Sequence, residues 1–231
     1  MPPEPRRPKS PRYPDGTARR LLATDLVTPP TRESLLSRLK PPSHAAPAVL
    51  SQAEMETLRA ICNRLITQPD RALPIDLSLA VDDRLARNDS KGWRYAALPA
   101  DLDAYRLGVL GIDQEALHHF GMPFAGLDVA QQDELLRRVQ VGDVRASAWR
   151  KLPAGRFFEE LLAELAETYY SHPFAQDEIG YVGYADAHGW QALGLGQLAP
   201  HEPLPEGQKL HLRTDGAVVE TDPGGNDSSA K

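Results

Sequence analysis

The chain has 231 residues with a formal net charge of -6, 25% charged and 41% hydrophobic residues, enough for one or two packed domains of an ordinary soluble type. The acidic balance excludes nucleic acid as a default partner, because phosphate binding needs Lys and Arg gathered on one face. The single cysteine, Cys62, excludes an internal disulfide and a cysteine-held zinc or iron–sulfur site, and no stretch approaches the roughly 18 apolar residues of a membrane span.

Residues 1–18 (MPPEPRRPKSPRYPDGTA) are proline-rich and basic, the composition of an extended segment that is mobile when free. Arg6-Arg7 is followed by no apolar run, so no export signal is read here; that places the protein in the cytoplasm, or in the periplasm if a partner carries it there. Leu21, Leu22, Leu26 and Val27 then form a short apolar patch. Thr31 is a candidate cap for a helix bearing Leu35, Leu36 and Leu39, which Pro41-Pro42 would end. Such an arm cannot bury its leucines on itself. It packs either on its own domain or on another protein, and both readings stay open.

A compact helical region starts at Ser51, where SQAE is a capping box. Met55, Leu58, Ile61, Cys62 and Leu65 recur at helical spacing, which reads Cys62 as a buried small apolar residue rather than a reactive thiol. After Pro69-Asp70 a second helix is expected from Pro74 to Arg87, with Leu77, Val81 and Leu85 on one face and proline tolerated in the first turn. A third opens at Pro99, carries Leu102, Tyr105 and Val109 and stops at Gly111. A fourth runs from Asp113 through Leu117 and Phe120 to Gly121. Asp128 caps a fifth with Leu135, Leu136 and Val139, stopped by Gly142. Phe157, Phe158, Leu161, Leu162, Leu165 and Tyr169 mark the last long helix, stopped before Pro173. No alternating strand pattern appears between Ser51 and Ser171. The expected fold is all-α: an irregular bundle of five to six helices, with an extended arm over 1–48, a helical domain over 49–200 and an extension over 201–231.

After Ser171 the chain becomes rich in Gly, Pro, Tyr and His, the signature of an ordered irregular segment. The tail beyond Gly216 is polar and reads as disordered, apart from a short extended piece within 210–219. No catalytic motif such as G-x-S-x-G, H-E-x-x-H or a phosphate-binding loop occurs. Gly194-Leu195-Gly196 has no helix behind it to seat a pyrophosphate. His118 and His119 point about 100° apart on a helix and do not grip one metal ion. His172, His188 and His201, with Asp177, Glu178 and Asp186, share one segment and could gather into a metal-assisted site; the alternative is ordinary hydrogen-bonded loop residues. Asp82-Asp83 and Glu159-Glu160 read as solvated helix faces. A third possibility, a regulator whose helix 128–140 enters DNA, is opposed by the charge.

Four stretches in order resemble the gluconate 2-dehydrogenase subunit 3 family: LSQAEMETLRAICNRLI, MPFAGLDVAQQDELLRRV, FFEELLAELAETYYSHPF and GYADAHGWQALGLG, together about residues 49–196. The resemblance implies a non-catalytic small subunit with no cofactor of its own. Its partner would be a large dehydrogenase of the glucose–methanol–choline type, which carries FAD and oxidises a sugar, glycoside or related alcohol. The small subunit would assist the partner's maturation and stability, and an electron-transfer protein is a further candidate partner. Many members carry Tyr-Gly-Gly-Asn soon after the proline that ends the last helix; here Pro173 is followed by FAQDEIGYVGYADAHGW, a departure on the contact surface. Many also carry a twin-arginine signal, which is not seen here. Tyr and Trp anchor interfaces because they offer area and a polar tip at low entropy cost. On that basis the residues expected to meet the partner are Leu21, Leu22, Leu26, Leu35, Tyr169, Tyr170, Pro173, Phe174, Tyr181, Tyr184, His188 and Trp190.

Overall fold

The structure is a computed structural model that describes residues 16–40, 46–68, 74–89, 96–189, 197–199, 211–212 and 218–219. Among them are eight helices: α1 (Thr17–Leu21), α2 (Pro29–Arg38), α3 (Gln52–Leu65), α4 (Leu77–Ala86), α5 (Asp101–Phe120), α6 (Val129–Val141), α7 (Ala154–Tyr170) and α8 (Pro173–Ile179). Two short antiparallel strands, β1 (His211–Leu212) and β2 (Val218–Val219), fall where the extended piece was expected. The fold is all-α, as the helical spacing predicts. Packing divides the chain differently from the expected 1–48, 49–200 and 201–231. One unit is Pro41–Tyr170; the other joins the two ends, Met1–Lys40 with Ser171–Lys231.

In the unit 41–170, α3 starts as its capping box dictates. The Glu54 N–H donates to Ser51 Oγ at 3.3 Å, and the Ser51 N–H donates back to Glu54 Oε2 at 2.7 Å. Asp128 and Gln131 do the same for α6 at 2.9 and 3.1 Å. The α3 face of Met55, Leu58, Ile61 and Cys62 is buried against α4, α5, α6 and α7. Helix α4 begins three residues later than Pro74. The Gln68 side chain bonds both the N–H and the C=O of Ile75, at 2.9 and 3.0 Å, and holds it outside the helix; Asp76 Oδ1 then caps the Leu79 N–H at 3.1 Å.

Where two helices were expected over 99–120, one continuous α5 of 20 residues runs straight through Gly111. Gly108 and Gly111 are not stops. A methyl at Gly108 would sit 2.1 Å from the Phe157 ring, and one at Gly111 would sit 2.5 Å from the Trp149 indole. The missing Cβ atoms let both aromatics lie on the helix backbone. Gly121 and Gly142, each at φ 76°, do end α5 and α6, because this left-handed backbone favours glycine.

The buried carboxylates of this unit, Asp82, Glu115 and Glu164, are paired, as burial requires, whereas the buried Trp149 Nε1 has no hydrogen-bond partner among the described residues. Asp82, fully buried, accepts from the N–H groups of Ala48, Val49 and Leu50 and ties the approach to α3 onto α4. Arg84 reaches Glu164 with two nitrogens, at 2.5 and 2.8 Å, and Asp101 with a third at 2.7 Å. The Tyr105 hydroxyl donates to Glu164 at 2.5 Å. Arg64 forks onto Asp133 at 2.7 and 2.9 Å, linking α3 to α6.

In the unit of chain ends, three sequence expectations change. The arm is not extended as far as residue 18, since α1 begins at Thr17. Helix α2 starts at Pro29 with Thr28 as its cap position, not at Thr31, because Pro29 and Pro30 fit the first turn, where their missing N–H groups cost nothing. Pro173 does not merely stop α7; it opens α8, with the His172 ring nitrogen Nδ1 accepting from the Phe174 N–H at 3.2 Å. The expectations for residues 1–15 and for the polar tail after 219 lie outside the described residues.

Candidate functional site

The residues expected to meet a partner fall mostly in the unit of chain ends, and the structure sorts them by burial. Leu21, Leu22 and Leu35 are buried with Ala18, Val27, Val182 and Tyr184 in one apolar cluster, and Leu26 packs half-buried against it. The leucines of the N-terminal segment therefore pack on this chain. Of the two readings left open for them, packing on their own domain is the one observed. Pro173 and, in the other unit, Tyr169 are also buried.

Polar contacts fasten the same arrangement. Helix α1 starts at Gly16, which has no capping side chain, and Asp177 of α8 takes that role: Oδ1 accepts from the Ala18 N–H at 2.6 Å and the Arg19 N–H at 3.3 Å. Asp177 also pairs with the Arg19 guanidinium, which lies 5.0 Å from the Phe174 ring centroid. Asp186 serves the start of α2 in the same way. It accepts from the Thr28 N–H and hydroxyl, each at 2.8 Å, and from the Thr31 hydroxyl at 2.7 Å. These donors, the Thr28 N–H foremost, pull its carboxyl down to about 2. The buried Tyr184 hydroxyl donates to the Ala18 carbonyl, and burial beside Asp177 pushes that phenol well up. The Ala187 N–H donates to the Leu26 carbonyl at 2.9 Å, and Arg38 Nη1 donates to the Ser171 carbonyl at 2.7 Å.

Other expected residues stay accessible. Tyr170 (49%), Tyr181 (47%) and His188 are exposed, and Phe174 is half-buried under His172, its ring stacked at 5.1 Å. Trp190 lies outside the described residues. Two residues before Tyr181, Ile179 is 56% exposed, a residue not singled out in the sequence because a lone isoleucine in a segment read as irregular carries no periodic signal. The Tyr181 ring is seated: a methyl at Gly183 would lie 2.8 Å from its hydroxyl oxygen, and the Tyr184 ring is 6.0 Å away. In the 41–170 unit, Leu110 and Leu117 lie two turns apart on one side of α5, and Leu162 and Tyr170 lie on one side of α7; all four are exposed.

Asp177 and Asp186 were weighed above only as members of a metal-binding set. The structure gives both to helix starts, and among the described residues no group of three His, Cys, Asp or Glu side chains gathers as a metal site. His201 lies outside the described residues. Cys62 is buried in α3, and burial pushes its thiol well above the ordinary range, which suits a packing residue. Among the described residues no helix is long and apolar enough to cross a membrane.

No curated protein and no solved structure matches the chain. The family model for gluconate 2-dehydrogenase subunit 3 does, over residues 52–189, from the first turn of α3 to the glycine after His188. That stretch takes in α3 to α8 and both carboxylates that cap the N-terminal helices, and a match over more than half of the sequence establishes that the chain belongs to the gluconate 2-dehydrogenase subunit 3 family.

Proposed function

We propose that the chain is a non-catalytic small subunit that binds and stabilises a large FAD-dependent dehydrogenase of the glucose–methanol–choline type, which oxidises a sugar, glycoside or related alcohol. The observation that carries this reading is the family match over 52–189, since the family is one of dehydrogenase subunits. Two features of the chain support it. Its buried ionisable groups are engaged in holding helices together, as Asp82, Arg84 and Glu164 are, and in that role they are not available to a substrate. It also keeps Ile179, Tyr181, Tyr170, Leu110 and Leu117 in water, a cost that an interface would remove.

In the unit of chain ends, Leu21, Leu22, Leu35, Pro173 and Tyr184 are buried supports, while Phe174, Tyr181 and His188 remain to touch the partner; in the 41–170 unit, Tyr169 is buried and Tyr170 remains accessible. Co-expression with a large flavoprotein of this type from the same genome tests the proposal. The two chains should elute together, and the large chain made alone should lose flavin or activity. Failure to co-purify, or a large chain that keeps full flavin and activity alone, overturns it.

A further inference from the structure

The family match begins at residue 52, so α1 and α2 lie outside it, whereas α8 and residues 180–189 lie inside. Yet the two stretches share one apolar cluster. They also share both helix caps: Asp177 closes the start of α1, and Asp186 holds the start of α2. Helix α1 has five residues and α8 seven, each too short to persist alone, because the cost of nucleation is not recovered in so few turns. Neither half has what it needs. Gly16 offers α1 no cap, and Val182 and Tyr184 would be bare without Leu21, Leu22 and Leu35.

We propose that residues 16–40 are an intramolecular clasp: a segment beyond the matched family region that completes residues 171–189 and fixes them in the form that binds the partner. The two stretches then order and melt together, although 130 residues of chain separate Lys40 from Ser171. The holding points are the caps from Asp177 and Asp186, the Tyr184 hydroxyl on Ala18, and Leu22 and Leu35 in the cluster. The part about binding rests on the function proposed above; the part about coupled order does not.

Hydrogen exchange on the full-length chain tests it from both sides. Asp177→Ala with Asp186→Ala alters only the 171–189 side, and Leu22→Asp alters only the 16–40 side. Each change should speed exchange at least tenfold in both stretches and leave α3, α5 and α6 unchanged. If either change loosens its own stretch and leaves the other protected, or if neither stretch responds, the clasp is overturned. A second arm measures capture of the large subunit. Capture should fall at least tenfold for both variants, and variants that capture like the wild type overturn the binding role of the clasp. A wild-type chain that captures nothing removes the proposed function instead, and the exchange result still decides the coupling.

Discussion

At the scale of single residues, glycines and carboxylates carry the information that spacing alone does not. Glycine inside a helix costs roughly 1 kcal/mol relative to alanine, so a lone Gly→Ala change normally stabilises. At Gly108 and Gly111 the sign should reverse, because the new methyl would overlap the buried Phe157 or Trp149 ring, and overpacking costs about 1–3 kcal/mol. Urea unfolding of Gly108→Ala should show a net loss, and equal or greater stability would mean that the rings move aside freely. Asp186 gives a prediction in pH. Its carboxyl sits at about 2, below the roughly 3.9 of a free aspartate, so its contribution is complete above about pH 4 and is lost as the pH falls toward 2. Protection of the amides near Thr28 should fade in that window, and Asp186→Asn should flatten the part of the profile that belongs to this group. An unchanged profile in the variant would assign the transition to another acid.

At the scale of elements, the helices that are legible from sequence are those whose ends are decided locally. Ser51 with Glu54 and Asp128 with Gln131 are four-residue signals, and α3 and α6 start where those residues say. Ser51→Ala should cost about 1 kcal/mol, and Asp128→Ala a similar amount, read as a drop in urea midpoint without a change in slope. The sequence splits α5 in two because a glycine shortly before an aspartate looks like a stop; the aromatic that makes Gly111 a packing position is Trp149, outside any local window, as Phe157 is for Gly108. Helix α1 is not visible in the sequence at all, and α2 starts before the Thr31 that spacing suggests as its cap; the carboxylates that hold both starts lie 158 residues away in the chain. The Arg84–Glu164 pair was equally invisible. Both ends are largely buried and Tyr105 shares the carboxylate. Removing one partner, as in Arg84→Met, leaves an uncompensated buried charge and should cost about 3–5 kcal/mol. Arg84→Met with Glu164→Leu should recover much of that loss. A double variant no more stable than the single one would show that the pair contributes through its exact shape rather than its charge balance.

For the whole molecule, the proposed partner binding turns on which apolar groups the fold leaves outside. The sequence names Leu21 and Tyr181 with equal weight as interface residues, because both are large apolar groups in loop-like surroundings. Only packing separates them: Leu21 is inside the cluster of chain ends, and Tyr181 is half in water with its ring seated on Gly183. A seated aromatic loses little freedom when a partner covers it, which is the property of an interface anchor. The two should therefore respond in opposite ways. Leu21→Ala removes buried methyl groups and should lower the stability of the isolated chain by about 2–5 kcal/mol if its site cannot collapse. Tyr181→Ala should leave the melting temperature almost unchanged and weaken capture of the large subunit by roughly tenfold or more, an anchor of about 2 kcal/mol. Gly183→Ala should fall between them in origin: it keeps the phenol but pushes the ring off its seat, so capture weakens while the tyrosine remains. If Tyr181→Ala binds as well as the wild type, the partner contacts another exposed surface. The pairs Leu110 with Leu117 and Leu162 with Tyr170 are then the next to substitute, since each lines one side of a helix.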